Sequence, residues 1–384
     1  MKPLSRAVGS VPASGIRRFF DLVAEMDDVI SLGVGEPDFV TPWRVREAAI
    51  WSLEKGLTTY TSNYGLLALR TEIARKHAER YDQNYDPARE ILVTVGVSEA
   101  LDVAFRALLD PGDEVLIPEP CYVSYGPCVR FAGGVPVPVP TRAANRFRVD
   151  PDDVAARVTP RTKAMLLSFP CNPTGAVMGR EGLQALVDLA VKHDLYVLSD
   201  EIYDRLSYDA PHVSVASLPG AAERTILMNG FSKAYAMTGW RIGYACAPAH
   251  VIEMMMKIHQ YTMLCAPITA QLGALEALKR GDRDADEMVA DYDRRRRVFV
   301  GGLNEIGLEC PLPGGAFYAF PSVERTGLDG ESFAERLLKE QRVLVVPGGV
   351  FGEGGVGHIR CCYATATEKL VEALRRMKEF VSSL

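Results

Sequence analysis

The chain holds 384 residues, 48% of them apolar and 24% charged, with a formal charge of −6. That length sustains one large unit and a smaller one, and the composition is that of an ordinary soluble globular protein. The acidic balance disfavours nucleic acid or an anionic membrane as the main partner, no apolar run approaches the ~20 residues that span a bilayer, and Met1 to Ser14 lacks the apolar core of a secretion signal.

In chain order, residues 15–29 carry helical periodicity and 29–32 turn extended. Gly33-Val34-Gly35-Glu36-Pro37-Asp38-Phe39 is a loop whose glycines let backbone approach a ligand, although a plain entry turn has the same composition. Pro42 opens a helix running through Glu54, Tyr60 lies in a polar aromatic loop over 58–65, and a second helix covers 66–80. From residue 90 strands and helices alternate, the signature of a mainly parallel α/β sheet. Ile91 to Val95 is a strand, Gly96-Val97-Ser98 a turn, and Glu99 to Leu109 a helix. Such a turn presents free backbone N–H groups and a positive dipole end that suit a phosphate, as well as an ordinary helix cap. Strands follow at 114–117, at the proline-rich 135–139 (an edge), and at 165–169, beyond which Asn172-Pro173-Thr174-Gly175 lies where open α/β sheets bind ligands.

A helix over 181–193 leads to the strand 195–199, which ends at Asp200, with Tyr203 just after it. An acid at the end of an apolar strand needs a partner, either a surface cation or a protonated ring nitrogen. The strand 225–230 then runs into Ser232 and Lys233, and Arg241 opens the next strand, 241–245. A buried lysine there becomes a nucleophile, and the serine and arginine suit a phosphate, which together suggest pyridoxal 5′-phosphate (PLP) held by Lys233; taken alone, a lysine after a strand is usually a solvated surface residue. Helices are expected over 248–260, 267–278 and 280–304, with Arg294 to Arg297 on a solvated face. Beyond Pro311 the composition changes to an antiparallel α+β unit with strands at 317–320, 343–346 and 356–363, helices at 331–340 and 367–383, and a mobile glycine-rich loop over 348–357. Arg360, within a strand, needs an anion, either a substrate carboxylate or a structural partner. Eight cysteines without a Cys-x-x-Cys pair make no disulfide framework, the six histidines show no metal spacing, and a reducing cytoplasm is the expected setting.

Five motifs in order, Gly35-Glu36-Pro37-Asp38-Phe39, Asn172 to Gly175, Ser199 to Tyr203, Ser232 to Tyr244, and Arg360, resemble the class I/II aminotransferases of PLP fold type I. The likeness spans nearly the whole chain and is nearest to the bacterial and archaeal aspartate and aromatic branch. It implies an α/β fold: a large domain over 46–285, built on a mostly parallel seven-stranded sheet flanked by helices, and a small α+β domain from 15–45 and 286–384. It also implies a homodimer with active sites at the subunit interface. By the same resemblance Lys233 binds the cofactor aldehyde, Asp200 pairs with the pyridine nitrogen, and Asn172 and Tyr203 hydrogen-bond the phenolic oxygen. Gly96, Val97, Ser98, Ser232 and Arg241 form the phosphate cup, Tyr60 reaches the neighbouring subunit's cofactor, and Tyr122 stacks on the ring where relatives often have tryptophan. Arg360, with Asn172 and the Gly35 backbone, holds the substrate carboxylate. The implied activity is ping-pong transamination from an aromatic or aspartate-like L-amino acid to a 2-oxo acid, with 2-oxoglutarate the expected acceptor. No arginine or lysine matches the distal-carboxylate clamp of aspartate enzymes, so the donor stays open. A PLP-dependent C–S β-lyase shares these residues. A non-catalytic PLP-sensing regulator domain is disfavoured by the short segment before the first helix and by the acidic charge.

Overall fold

The computed structural model describes residues 2, 4–13, 15 and 26–384; the helix expected over 15–29 lies mainly outside the described residues. The first strand, β1 (Ile30–Ser31), is short and leads through the Gly33–Phe39 loop to the helices Trp43–Glu54 and Leu67–Tyr81. The central sheet follows: β2 (Ile91–Thr94), β3 (Glu114–Glu119), β4 (Val135–Pro140), β5 (Thr162–Ser168), β6 (Tyr196–Asp200), β7 (Thr225–Gly230) and β8 (Gly243–Cys246). Its spatial order is β2-β8-β7-β6-β5-β3-β4, with β8 antiparallel to both neighbours and every other pairing parallel.

The residue types explain this arrangement. Residues Ala164 and Leu166 of β5 enter an apolar cluster with Phe105 and Ile252, while Met165 and Leu167 enter another with Leu186 and Val187. Both faces are therefore covered, which is why the strand reads as an unbroken apolar run instead of alternating. Strand β4 reads Val-Pro-Val-Pro-Val-Pro; half its residues lack an N–H, so it pairs on one side only and sits at the edge, as expected. Parallel β5, β6 and β7 end together, with Ser168 level with Asp200, and open a crevice at their carboxyl ends.

The C-terminal part holds β9 (Tyr318–Ala319), β10 (Val343–Leu344), β11 (Val346–Pro347) and β12 (Ile359–Cys362), with the helices Gly330–Gln341 and Thr367–Ser382. The single strand expected over 343–346 is divided. Its first half pairs in parallel with β1, and its second joins β12 and β9 in a three-stranded antiparallel sheet. All four residues are buried, so the apolar pattern carries no mark of the change of partner. The glycine-rich stretch forms two short 3₁₀ turns, Gly348–Phe351 and Glu353–Gly355, instead of a loose loop. Backbone meets backbone there: a Cβ on Gly348 would lie 2.2 Å from the Gly355 carbonyl oxygen. All eight cysteines are free thiols, six of them buried.

The four consecutive arginines do not share a solvated face. Successive helical residues turn by about 100°, so within Asp282–Glu305 the run wraps most of the way round. Arg294 and Arg297 point outward. Arg295 is turned inward and grips both oxygens of Asp38 at 2.8 Å, and Arg296 is fully buried against Asp209, Asp293 and the Pro313 carbonyl. Replacing Arg296 by Ala should cost about 2–4 kcal/mol of unfolding free energy in urea titration, whereas Arg294→Ala should stay within about 0.5 kcal/mol. Equal effects at the two positions would contradict this placement.

Candidate active site

A cavity of about 400 Å³ opens at the carboxyl ends of β5, β6 and β7. Of the residues selected from sequence, Gly35, Val97, Ser98, Tyr122, Asn172, Asp200, Tyr203, Ser232, Lys233, Arg241 and Arg360 all line it. Gly96 stands just behind Arg241, where a Cβ would come within 2.7 Å of the guanidinium. Tyr60 is not among them: it is 82% exposed on the outer surface of this chain.

Lys233 follows β7 by three residues, in a turn anchored by buried Phe231. Its Nζ donates to the Gly35 carbonyl at 2.6 Å, and burial lowers its pKa to about 8. Asp200, the last residue of β6, accepts from the Tyr125 hydroxyl at 2.7 Å and the Ile202 amide at 3.2 Å. No cation among the described residues bonds it, and burial raises its pKa to about 6. Of the two partners expected for this acid, the surface cation is absent among the described residues.

Arg360, 3% exposed on β12, donates to Asn172 Oδ1 at 2.9 Å and to the Gly33 carbonyl at 2.6 Å. Its guanidinium lies 4.6 Å from the Tyr318 ring centroid and 4.8 Å from that of Phe351, and its buried Nε has no partner among the described residues. A donor left over in such a place is poised for an anion. The Tyr203 hydroxyl meets the Tyr318 hydroxyl at 2.7 Å, and Tyr122 packs edge-on to Tyr125.

Where β2 meets the helix Val97–Leu108, Gly96 adopts φ +79° and no side chain caps the helix. The amides of Val97 and Ser98 are thereby left for an external acceptor. Arg241, expected as the first residue of a strand, instead takes a left-handed conformation ahead of β8, with Nη1 on the Thr238 carbonyl at 2.9 Å. That turn brings the guanidinium back over Gly96.

Sequence reading missed Tyr125, Tyr318 and Gly33. Tyr125 had a usable signal, since it stands three residues after Tyr122, across a single turn closed by the Tyr125 amide on the Tyr122 carbonyl. Tyr318 had none, since its hydroxyl meets Tyr203 from 115 residues away; Gly33 lies in the glycine loop singled out above, but its carbonyl's bond to Arg360, 327 residues on, has no local mark.

The profile of the class I and II aminotransferases matches residues 27–377. The chain belongs to this family. As an aminotransferase it is 47% identical to an aspartate aminotransferase of Pyrococcus abyssi over 98% of this chain and 97% of that one. It is 45% identical, with the same coverage, to aromatic-amino-acid aminotransferase 2 of Thermococcus litoralis. Among solved structures, an aromatic aminotransferase from Pyrococcus horikoshii superposes with a TM-score of 0.91 at 47% identity, covering 96% of this chain and 99% of that one. The aminotransferase catalyses transamination with PLP as its cofactor. The residues present fit that group: a buried acid without a cation for the ring nitrogen, open helix amides with an arginine for the phosphate, and a partly desolvated lysine for the aldehyde.

Proposed function

We propose that this aminotransferase moves an amino group from an aromatic L-amino acid to 2-oxoglutarate, in the cytoplasm, at a site completed by two copies of the chain. The observation that carries the donor is the cleft's charge. Its only cations among the described lining residues are Lys233, Arg241 and Arg360. The first two are assigned to the cofactor and the third to the α-carboxylate, which leaves none in this chain for a second carboxylate. An aspartate-like donor would need a cation from the neighbouring copy.

In this reading Lys233 holds the cofactor aldehyde and Asp200 keeps the ring nitrogen protonated. Asn172 and Tyr203 bond its phenolic oxygen, and Tyr122 covers the ring. Gly96, Val97, Ser98, Ser232 and Arg241 take the phosphate, joined by Tyr60 from the neighbouring copy. The 82% exposure of Tyr60 in this chain is consistent with a role at a neighbouring copy's site. When bound, the cofactor supplies an electron sink that makes removal of the Cα proton affordable. Arg360, fixed by Asn172, turns the substrate's Cα–H bond into line, a positional contribution. Once released, Lys233 Nζ would take the Cα proton and deliver it to the cofactor's former aldehyde carbon, on the far side of the transferred nitrogen. A division into 46–285 on one side, with 15–45 and 286–384 on the other, places Lys233 and Asp200 in one unit and Gly35 and Arg360 in the other.

Purified protein loaded with PLP, mixed with one amino acid and no oxo acid, tests this reading. Phenylalanine or tyrosine should bleach the cofactor's visible absorbance and 2-oxoglutarate should restore it, with kcat/KM above that for aspartate. Aspartate as the better donor would overturn the donor assignment, and accumulating pyruvate and ammonia from a sulfur amino acid would mark a C–S lyase. The Lys233 amine reacts only after losing its proton, so covalent capture of PLP by the cofactor-free chain should accelerate as pH rises through about 8. Stopped-flow absorbance at several pH values reads this; a rate that stays flat from pH 7 to 9 contradicts it.

A further inference from the structure

The helix Val97–Leu108 carries an acid, Glu99, in its first turn. An acid there ordinarily rests on the helix's own free amides, drawn by the dipole. Those amides are the ones assigned above to the cofactor phosphate, so an unrestrained Glu99 carboxylate would compete with it. The structure shows the carboxylate held elsewhere. Its Oε2 accepts from the Val95 amide, before the turn, at 2.5 Å. Its Oε1 is bonded at 2.5 Å to Nδ1 of His259, a fully buried residue of the helix Ala249–Thr262.

The same turn is fixed from two further directions. The Thr94 hydroxyl donates to the Gly96 carbonyl at 2.9 Å. Gly243 of β8 lies directly beneath, where a Cβ would meet both the Gly96 carbonyl carbon and the Val97 nitrogen at 2.8 Å. The other ring nitrogen of His259, Nε2, has no partner among the described residues, where the imidazole's one side-chain bond goes to Glu99. A buried histidine bonded to a single acid in the first turn of the cup's helix has no other task that its contacts with described residues reveal.

We propose that His259 and Glu99 act together as positioning residues for the cofactor phosphate: His259 draws the carboxylate away from the helix amides, and Glu99 ties the strand end to the turn. Neither touches the cofactor. This rests on the phosphate-cup reading above and adds to it a pair from outside the cavity. The pair should affect recognition of the phosphate and leave recognition of the ring unchanged.

Binding of PLP and of pyridoxal, which lacks the phosphate, to cofactor-free protein separates the two, with fluorescence quenching as the readout. The unaltered chain should favour PLP by ~100-fold or more, and H259L should cut that preference about tenfold while changing pyridoxal affinity less than about twofold. H259N, whose side-chain amide can stand in for Nδ1, should stay within about threefold of the unaltered chain. E99L offers an independent route should H259L fold poorly, and should show the same selective loss, with E99Q restoring it. Retention of the preference in H259L and E99L, or equal loss of both ligands, overturns the proposal and leaves the cup in place. An unaltered chain that does not distinguish PLP from pyridoxal overturns the cup assignment itself, and this proposal with it.

Discussion

Lys233→Ala should reduce kcat by ~10⁴-fold or more, because one side chain both tethers the cofactor and carries the Cα proton. No neighbour can take over. Asp200 is held by Tyr125 and Ile202, and burial pushes the Tyr203 hydroxyl well above the ordinary tyrosine range. The Lys233 amine also bonds the Gly35 carbonyl, so its loss leaves that oxygen to water, a local cost only. The variant should therefore fold, with a Tm near that of the unaltered chain, and should release PLP on desalting. Steady-state turnover with absorbance after gel filtration checks both points. Retention of more than about one hundredth of the activity would sink the assignment.

Asp200→Asn is expected to lose about 10³-fold in kcat without losing stability. The amide keeps the shape and can still meet the Tyr125 hydroxyl, but it cannot hold a ring nitrogen protonated. The stability side follows from the sign of the pKa shift. In the cofactor-free chain, burial raises the Asp200 pKa to about 6, above its unfolded value. The folded chain therefore binds this proton more tightly than the unfolded one, and ionising the acid as pH rises between the two values lowers stability. Above pH 6 that cost is fully present in the unaltered chain and absent in Asp200→Asn. Melting at pH 8 should show the variant equal to or above the parent while turnover collapses. A variant that is both inactive and markedly less stable would mean the acid holds the fold and not the ring.

Most of the central sheet was legible because its physical causes are local. Prolines at alternate positions from Val135 to Pro140 dictate an edge, and the unbroken apolar run from Ala164 to Leu167 dictates a strand covered on both faces. The residues chosen for the cleft converge because strand ends and the turns after them are punctuated by Gly, Pro, Asn and Asp. What stayed hidden depends on partners distant in sequence. The inward turn of Arg295 and Arg296 needs Asp38 and Asp209, which no pattern around residue 295 announces. The division of 343–346 between two sheets is silent for the same reason, since residues that are all buried look alike whichever strand they meet. His259 beside Glu99 belongs here too: in sequence it is one polar residue in a methionine-rich helix.

The eight free thiols give the chain a built-in reporter of its own opening. Burial raises the pKa of Cys121, Cys246 and Cys361 well above the usual thiol range and pushes Cys310 up to about 12. The thiolate is the form that attacks a thiol-directed reagent, so these four are shielded both by access and by charge for as long as the surrounding layers stay closed. Cys246 on β8, Cys361 on β12 and Cys310 lie in one apolar cluster, and Cys121, beside Tyr122, lies in another. Labelling that proceeds position by position therefore maps which layer parts first, without a probe having to be introduced.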